Sequence, residues 1–251
     1  MKNSWITFPR PNPRAKVRLF CFPYSGASAS MYYSWTDVLP VSIEVCPVQF
    51  PGHGNRVSET PYTDLPGLID ALEEAILPSL DKPFSFFGHS MGALVSFELT
   101  RRLLRRHNLS PVYLFVSGHN APQIPDPTEP IHALPEADFL DNLRMLNGTP
   151  EEVLQDPELR NLLIPVLRAD FSVCETYNYT DEILLDCPIC ACGGLQDKYV
   201  DREGLKAWSV HTTNTFTMRL LPGDHFYLNY DRMYLLQAIA QEINRVVDLR
   251  T

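Results

Sequence analysis

Short apolar runs alternate with longer amphipathic runs through the first half of the chain. The short runs are rich in β-branched and aromatic residues and end at glycine- or proline-containing turns, which is typical of strands. The longer runs place leucine and isoleucine on one face at helical spacing. Strands are predicted at 16–22, 41–50, 84–87 and 112–117, and helices at 30–39, 64–80 and 91–107. This order predicts a mostly parallel central sheet with helices on both faces.

The alternation stops between residues 122 and 181, where the sequence is rich in proline and acidic residues. Helical spacing with proline start signals recurs there at 136–146, 151–154 and 157–177. The strand pattern then resumes at 189–192 and 217–221, before a closing amphipathic helix at 232–247. We therefore expect one domain over residues 1–251, with 122–181 inserted in it as a helical lid.

Composition limits the classes of partner. The 251 residues are 45% hydrophobic and 20% charged, which suits one globular domain. The formal net charge of −9 argues against binding a phosphate backbone, so no nucleic acid partner is expected. The apolar runs are far shorter than the ~20 residues of a membrane span, and proline turns stand where a signal peptide needs an apolar run. We expect a cytoplasmic monomer with no membrane association.

Six cysteines occur at positions 21, 46, 174, 187, 190 and 192. The C-x-x-C at 187–190 could be a redox or zinc motif, but no second cysteine or histidine pair accompanies it at ligand spacing. The same segment fits a short buried strand, which we favour. We predict reduced thiols and no metal.

The segment 88–92 (GHSMG) carries the strongest chemical signal. It follows an apolar strand and precedes a helix, which is the context that a G-x-S-x-G nucleophile turn requires. The small residues at its ends let strand and helix approach closely at a strained turn. We predict that Ser90 is a nucleophile presented at the carboxyl end of a central strand.

A serine nucleophile needs a histidine base and an orienting carboxylate. His225 lies in a turn between the last predicted strand and the closing helix, whereas the other six histidines, among them His53 and His89, lie in less suitable places. Asp197 follows the strand at 189–192, so it can meet the second ring nitrogen of His225. The rival carboxylates are Asp186, Asp201 and Asp224, of which the last adjoins His225 and is expected to point away from it.

The oxyanion hole is expected to use two backbone amides. One is Met91 N–H, directly after the nucleophile, and the other comes from the loop after the first strand, 22–28 (FPYSGAS). Ser25 N–H is the expected second donor. The choice among the amides of 24–27 stays open on the sequence alone.

These motifs together resemble the type II thioesterases, the stand-alone editing hydrolases of non-ribosomal peptide and polyketide assembly lines. The resemblance runs from about residue 16 to 247 and rests on 22–28 (FPYSGAS), 50–56 (FPGHGNR), 88–93 (GHSMGA), 134–135 with 148–152, 167–171 (LRADF) and 223–226 (GDHF). It implies an α/β-hydrolase fold with a helical lid. It also implies hydrolysis of acyl or aminoacyl thioesters from the phosphopantetheine arm of acyl or peptidyl carrier proteins, with no cofactor. One departure is Tyr24-Ser25-Gly26-Ala27, where the family usually has His-Ala-Gly-Gly.

Three other functions remain open on the sequence. The chain could be a general carboxylesterase or lipase, an acyltransferase or cyclase, or a catalytically silent protein that binds carrier proteins. Apolar residues of the predicted lid could line an acyl pocket, namely Leu140, Leu143, Met145, Leu162 and Leu163. The arginine run at 101–106 is interpreted as a solvated helix end rather than a docking site for an acidic carrier.

Overall fold

The computed structural model describes residues 4–125, 128–230 and 232–248, so positions 126 and 127 of the predicted insertion lie outside the described residues. Six parallel strands form one sheet in the order β2-β1-β3-β4-β5-β6. The strands are β1 (Val17–Phe22), β2 (Ile43–Pro47), β3 (Phe84–His89), β4 (Tyr113–Ser117), β5 (Ile189–Gly194) and β6 (Phe216–Leu221). The predicted parallel sheet is confirmed.

Seven α-helices and several 3₁₀ segments surround the sheet in the described part of the chain. The α-helices are α1 (Leu65–Ile76), α2 (Met91–His107), α3 (Glu136–Leu146), α4 (Glu151–Gln155), α5 (Pro157–Glu175), α6 (Arg202–Lys206) and α7 (Met233–Asp248). None of these helices, within the described ranges, is both long and apolar enough to cross a membrane.

The segment predicted as a helix at 30–39 is a 3₁₀ helix, Ala29–Asp37. Its buried residues are Ala29, Tyr32 and Trp35, which recur every three positions. A repeat of three matches the 3₁₀ period rather than the 3.6-residue period of an α-helix. The spacing therefore explains why this segment differs from the helices around it.

The sheet separates two apolar layers because successive side chains of a strand point to opposite faces. In β1, Phe20 and Phe22 pack with α1 and α2, whereas Leu19 and Cys21 pack with α7 and the 3₁₀ helix Ala29–Asp37. Burying one such side chain contributes about 1.5–3 kcal/mol. The same alternation continues in β5, where Cys190 and Cys192 are buried free thiols. Within the described ranges, no three His, Cys, Asp or Glu side chains are grouped so as to hold a metal ion.

Helices α3, α4 and α5 lie between β4 and β5, inside the predicted insertion. They have an apolar cluster of their own, and Leu140 and Leu143 are buried in it. Met145 and Leu162 are 69% and 59% exposed, so neither lies in an enclosed pocket here, and their part in an acyl pocket stays a prediction. Leu163 faces the backbone of Gly26, in the loop after β1. That the insertion acts as a lid stays a prediction.

The arginine run at the end of α2 is solvated only in part, since Arg105 and Arg106 are exposed as predicted but Arg101 is not. Arg101 is only 3% exposed and donates to Glu98 at 2.7 Å and to the carbonyl of Thr180 at 2.7 Å. Arg102 and Arg106 each reach Glu73 of α1 at 3.2 Å, and Arg102 also pairs with Asp70. Glu98 lies on the same helix, whereas Asp70 and Glu73 lie on α1, so the charge run alone could not reveal the contacts with α1.

Candidate active site

Ser90 stands at a strained turn between β3 and α2. Its φ of +53° is a left-handed value that non-glycine residues rarely adopt. A Cβ at Gly88 would lie 2.0 Å from the carbonyl oxygen of Gly92, and a Cβ at Gly92 would lie 2.1 Å from that of Phe22. The two glycines therefore permit an approach that any larger residue would block. The turn holds Ser90 half-buried, with its N–H donating to Ser117 O at 2.8 Å.

The structure brings Asp197 and His225 together at the carboxyl ends of β5 and β6. His225 Nδ1 lies 2.8 Å from Asp197 Oδ2. The other carboxylate oxygen, Oδ1, accepts the N–H groups of Tyr199 at 2.9 Å and Val200 at 3.2 Å. The Asp197 side chain is fully buried and that of His225 is 15% exposed. The backbone bonds fix the carboxylate, so it can orient the imidazole.

Ser90 and His225 are not joined by a hydrogen bond in the part of the chain that the structure describes. The ring of His89, the residue before Ser90, has its centroid 5.1 Å from that of His225. Hydrogen bonds of catalytic groups are often long before substrate binds. A relay requires His225 Nε2 to come within hydrogen-bond distance of Ser90 Oγ, and the catalytic roles of Ser90, Asp197 and His225 stay predictions.

The rival carboxylates serve local structure. Asp224 Oδ1 accepts the N–H of Phe226 at 2.9 Å, so it turns into its own loop as expected. Asp201 accepts the N–H of Gly204 at 2.7 Å and so caps α6. Neither carboxylate hydrogen-bonds a histidine among the described residues.

The loop after β1 has two of its amides already engaged. Gly26 N–H donates to Asp170 Oδ2 at 2.7 Å, and Ala27 N–H donates to Tyr24 O at 3.0 Å. Ser25 N–H and Met91 N–H make no hydrogen bond within the described ranges, and the latter opens α2, where helical amides lack partners. These two amides remain the predicted oxyanion donors.

A second imidazole–carboxylate pair, which the sequence analysis did not identify, lies beside this loop. His53 Nε2 is 2.8 Å from Asp170 Oδ2, and His53 Nδ1 is 2.9 Å from the carbonyl of Pro51. Both side chains are at most 5% exposed. Burial alone would lower the pKa of His53, but the charge and hydrogen bond of Asp170, helped by the Pro51 carbonyl, outweigh burial and raise it.

The ring of His89 packs against the ring of His225. Its Nδ1 is 2.8 Å from Ser117 Oγ, which in turn is 2.6 Å from the hydroxyl of Tyr227. Complete burial, followed by the nearness of His225, lowers the pKa of His89 well below its ordinary value. His89 is therefore a neutral ring that packs against the predicted base without competing for its proton.

Tyr24 fills the position where the sequence departs from the resembled family. Its ring packs edge-on against His89 at 5.7 Å and Phe226 at 5.2 Å between centroids. Its hydroxyl accepts a hydrogen bond from Asn229 at 3.2 Å. Tyr24 thus ties the loop after β1 to the loop that carries His225.

Comparison with known proteins gives matches along nearly the whole chain. The family model described as a thioesterase domain matches residues 17–246. Gramicidin S biosynthesis protein GrsT of Aneurinibacillus migulanus is 45% identical over 98% of this chain and 96% of its own length. Linear gramicidin dehydrogenase LgrE of Brevibacillus parabrevis is 48% identical over 96% of this chain and 93% of its own.

A solved structure shows the same architecture. The type II thioesterase BorB from the borrelidin biosynthetic cluster superposes with a TM-score of 0.86 at 36% identity. The superposition covers 95% of this chain and 97% of BorB. The similarity therefore includes the sheet, the helical insertion and the loops that carry the site.

Proposed function

Because this chain belongs to the thioesterase family, we propose that it is the editing enzyme of a non-ribosomal peptide or polyketide assembly line. In this role it hydrolyses acyl or aminoacyl thioesters on the phosphopantetheine arm of acyl or peptidyl carrier proteins and so clears misprimed arms. The near-complete coverage of GrsT and BorB supports an enzyme of this type.

The contact between His225 Nδ1 and Asp197 Oδ2 is the observation that carries the mechanism. Asp197 fixes the tautomer in which Nε2 can accept a proton. His225 then takes the proton of Ser90 Oγ as this oxygen attacks the thioester carbonyl carbon. The new negative charge on the carbonyl oxygen is stabilised by the N–H groups of Met91 and Ser25.

Collapse of the tetrahedral intermediate breaks the carbon–sulfur bond. His225 returns its proton to the leaving sulfur, so pantetheine departs as a thiol and the acyl group stays on Ser90. Water then attacks this ester as His225 takes the water's proton. The second collapse releases the acid and regenerates the Ser90 hydroxyl. The chain's own side chains and water complete this cycle, so we propose that it needs no metal or organic cofactor.

The experiment is hydrolysis of a panel of carrier proteins loaded with acetyl, aminoacyl and longer acyl groups, followed by mass spectrometry of carrier and product. We expect free acid and holo-carrier from the wild type. Ser90→Ala should abolish release, whereas Ser30→Ala, an exposed serine beside the loop after β1, should retain it.

Four outcomes would contradict the proposal. If Ser90→Ala retained hydrolysis, Ser90 would not be the nucleophile. A higher kcat/KM on the matching oxygen ester than on the acyl-pantetheine thioester would indicate a general esterase. An aldehyde or alcohol formed when a reduced nicotinamide cofactor is added would indicate a dehydrogenase, as the name of LgrE suggests for that protein. An acyl group transferred to a nucleophile other than water would indicate an acyltransferase.

A further inference from the structure

One oxygen of Asp170, on α5, contacts two different loops. Asp170 Oδ2 accepts the N–H of Gly26 at 2.7 Å and lies 2.8 Å from His53 Nε2. Asp170 lies on α5 of the insertion, Gly26 lies in the loop after β1, and His53 lies in the loop after β2. The carboxylate therefore joins the helical insertion to the loop that carries the predicted second oxyanion donor.

The hydrogen bonds of His53 fix its protonation. Nδ1 faces the carbonyl oxygen of Pro51, which can only accept, so Nδ1 must carry a proton. Nε2 faces a carboxylate oxygen that already accepts from Gly26, so Nε2 carries a proton as well. The imidazole is thus an imidazolium, paired with the buried Asp170 side chain at 2.8 Å.

Helix α5 also restrains the backbone of Gly26 by packing. Leu163, Leu167 and Asp170 are spaced so that they share one face of the helix. A Cβ at Gly26 would lie 2.6 Å from Leu167 Cδ2 and 3.9 Å from Leu163 Cδ1. The φ of Gly26 is +79°, so the loop turns sharply one residue after Ser25.

We propose that Asp170 is a positioning residue that sets the oxyanion hole, because its hold on Gly26 N–H turns the Ser25 amide toward Ser90. This inference rests on the proposed function for the role of Ser25. His53 holds the side chain of Asp170 in place. The contact by which α5 packs on the loop after β1 is then also the contact that completes the oxyanion hole.

The substitution Asp170→Asn tests whether both contacts of Asp170 Oδ2 are needed. An amide oxygen in the place of Oδ2 would accept from Gly26 but would not hold the charge of His53. An amide nitrogen there could donate to a neutral His53 but would oppose the N–H of Gly26. Asp170→Asn therefore loses one of the two contacts in either orientation. His53→Gln, in contrast, retains a side-chain amide that can donate to Asp170.

The chain offers a matched control on the same helix. Glu175 of α5 also pairs with a histidine, His132, at 2.6 Å, and accepts the backbone N–H groups of Ile131 and His132. These contacts lie within the insertion and do not involve the loop after β1. Glu175→Gln therefore disturbs an acid–histidine pair of α5 without touching the predicted oxyanion donors.

Two readouts are measured on each variant: kcat and KM for an acyl carrier thioester, and the rate at which a fluorophosphonate labels Ser90. We expect Asp170→Asn to lower kcat and the labelling rate by about 10- to 100-fold with KM within about twofold, since both reactions place negative oxygen in the hole. Glu175→Gln should change both by less than about twofold. Unchanged kcat and labelling in Asp170→Asn, or an equal loss in Glu175→Gln, would overturn the inference.

A pH profile keeps the inference testable if Asp170→Asn does not fold. The charged group in contact with His53 is Asp170 from α5, and the Tyr62 hydroxyl is the other titratable group lining the small cavity beside the pair. The labelling rate of the wild type should fall at alkaline pH as His53 loses its proton, and His53→Gln should lack this fall. Identical profiles for the two proteins would overturn the inference.

Labelling also separates this inference from the proposed function. A wild type that is labelled at Ser90 but releases no acid from any loaded carrier would refute the carrier-thioester function alone. The labelling rates of Asp170→Asn and Glu175→Gln would still decide the role of Asp170.

Discussion

Two imidazole–carboxylate pairs of this molecule have the same 2.8 Å separation. In the pair of His225 and Asp197, the second imidazole nitrogen makes no hydrogen bond among the described residues. In the pair of His53 and Asp170, the second nitrogen faces the carbonyl of Pro51. The first imidazole can exchange a proton with a reactant, whereas the second is committed to keeping its proton. The second nitrogen, rather than the pairing distance, distinguishes a predicted base from a structural cation.

The two carboxylates also use their oxygens differently. In Asp197 the contacts are shared between the two oxygens: Oδ1 accepts two backbone N–H groups, while Oδ2 faces His225. In Asp170 a single oxygen, Oδ2, contacts both Gly26 and His53. Substitution at position 197 can therefore change chemistry with the fold retained, whereas substitution at position 170 disturbs both together.

The largest expected difference is between the histidines. We expect His225→Gln to lower kcat for thioester hydrolysis by about 10⁴-fold or more, since glutamine cannot act as the base. His53→Gln should lower kcat by less than about tenfold near neutral pH, because glutamine retains a donor to Asp170. Thiol release measured at saturating substrate checks both values. Equal losses in the two variants would remove the distinction between the pairs.

Asp197→Asn should separate chemistry from stability. An amide oxygen can still accept the N–H groups of Tyr199 and Val200, but an amide nitrogen then faces Nδ1 and favours the wrong tautomer of His225. We expect kcat to fall about 10³- to 10⁴-fold and the free energy of unfolding to change by less than about 1 kcal/mol. Kinetics and urea unfolding on the same preparation measure the two effects. A large fall in the free energy of unfolding of Asp197→Asn would contradict the assignment of separate roles to Oδ1 and Oδ2.

Asp170→Ala should act mainly on stability. Removing one partner of a buried ion pair leaves the other charge uncompensated, so we expect the free energy of unfolding to fall by about 3 kcal/mol. The control is Asp64→Ala, which removes the exposed N-cap of α1 and should cost about 1 kcal/mol. Urea unfolding compares the two variants. If Asp170→Ala lowers the free energy of unfolding by no more than Asp64→Ala does, the pair of His53 and Asp170 contributes little to stability.

The smallest effect is the pH dependence of stability. The pKa of His53 is raised from its ordinary value of 6.5, so its pairing contributes fully below the pKa of the unfolded state and is lost as pH rises through the folded one. The stability difference between the wild type and His53→Gln should therefore shrink from about pH 6 to about pH 9. Urea midpoints across this range measure it, and a difference that grows with pH would have the wrong sign.

The sequence could predict those parts of the site that depend on local context. Ser90 is predicted as the nucleophile because a strand, two glycines and a helix adjoin it in the chain. The contact between Asp197 and His225 is predictable because each lies in the turn after a predicted strand, and parallel strands bring their carboxyl ends to one edge of the sheet. The alternation of strands and helices likewise predicted the sheet, including its parallel direction.

The missed contacts join segments that are distant in sequence. His53 and Asp170 are 117 positions apart, and each has an ordinary local setting, a glycine-rich turn and the inside of a helix. Arg101 has one partner close in sequence, Glu98, but its other contact, with the carbonyl of Thr180, spans 79 positions. No periodicity or motif encodes which side chain will face another across such a distance, so these contacts required coordinates.

The separate apolar cluster of α3, α4 and α5 has a practical consequence for engineering. Phe139, Leu143 and Leu154 pack in a cluster separate from the two layers of the sheet, whereas Val173, near the end of α5, packs in the layer of α1 and α2. A chimaera that takes the segment 131–175 from a relative would therefore need an apolar residue at position 173. It would also need an acid at the position of Asp170, so these two positions would determine which grafts remain active.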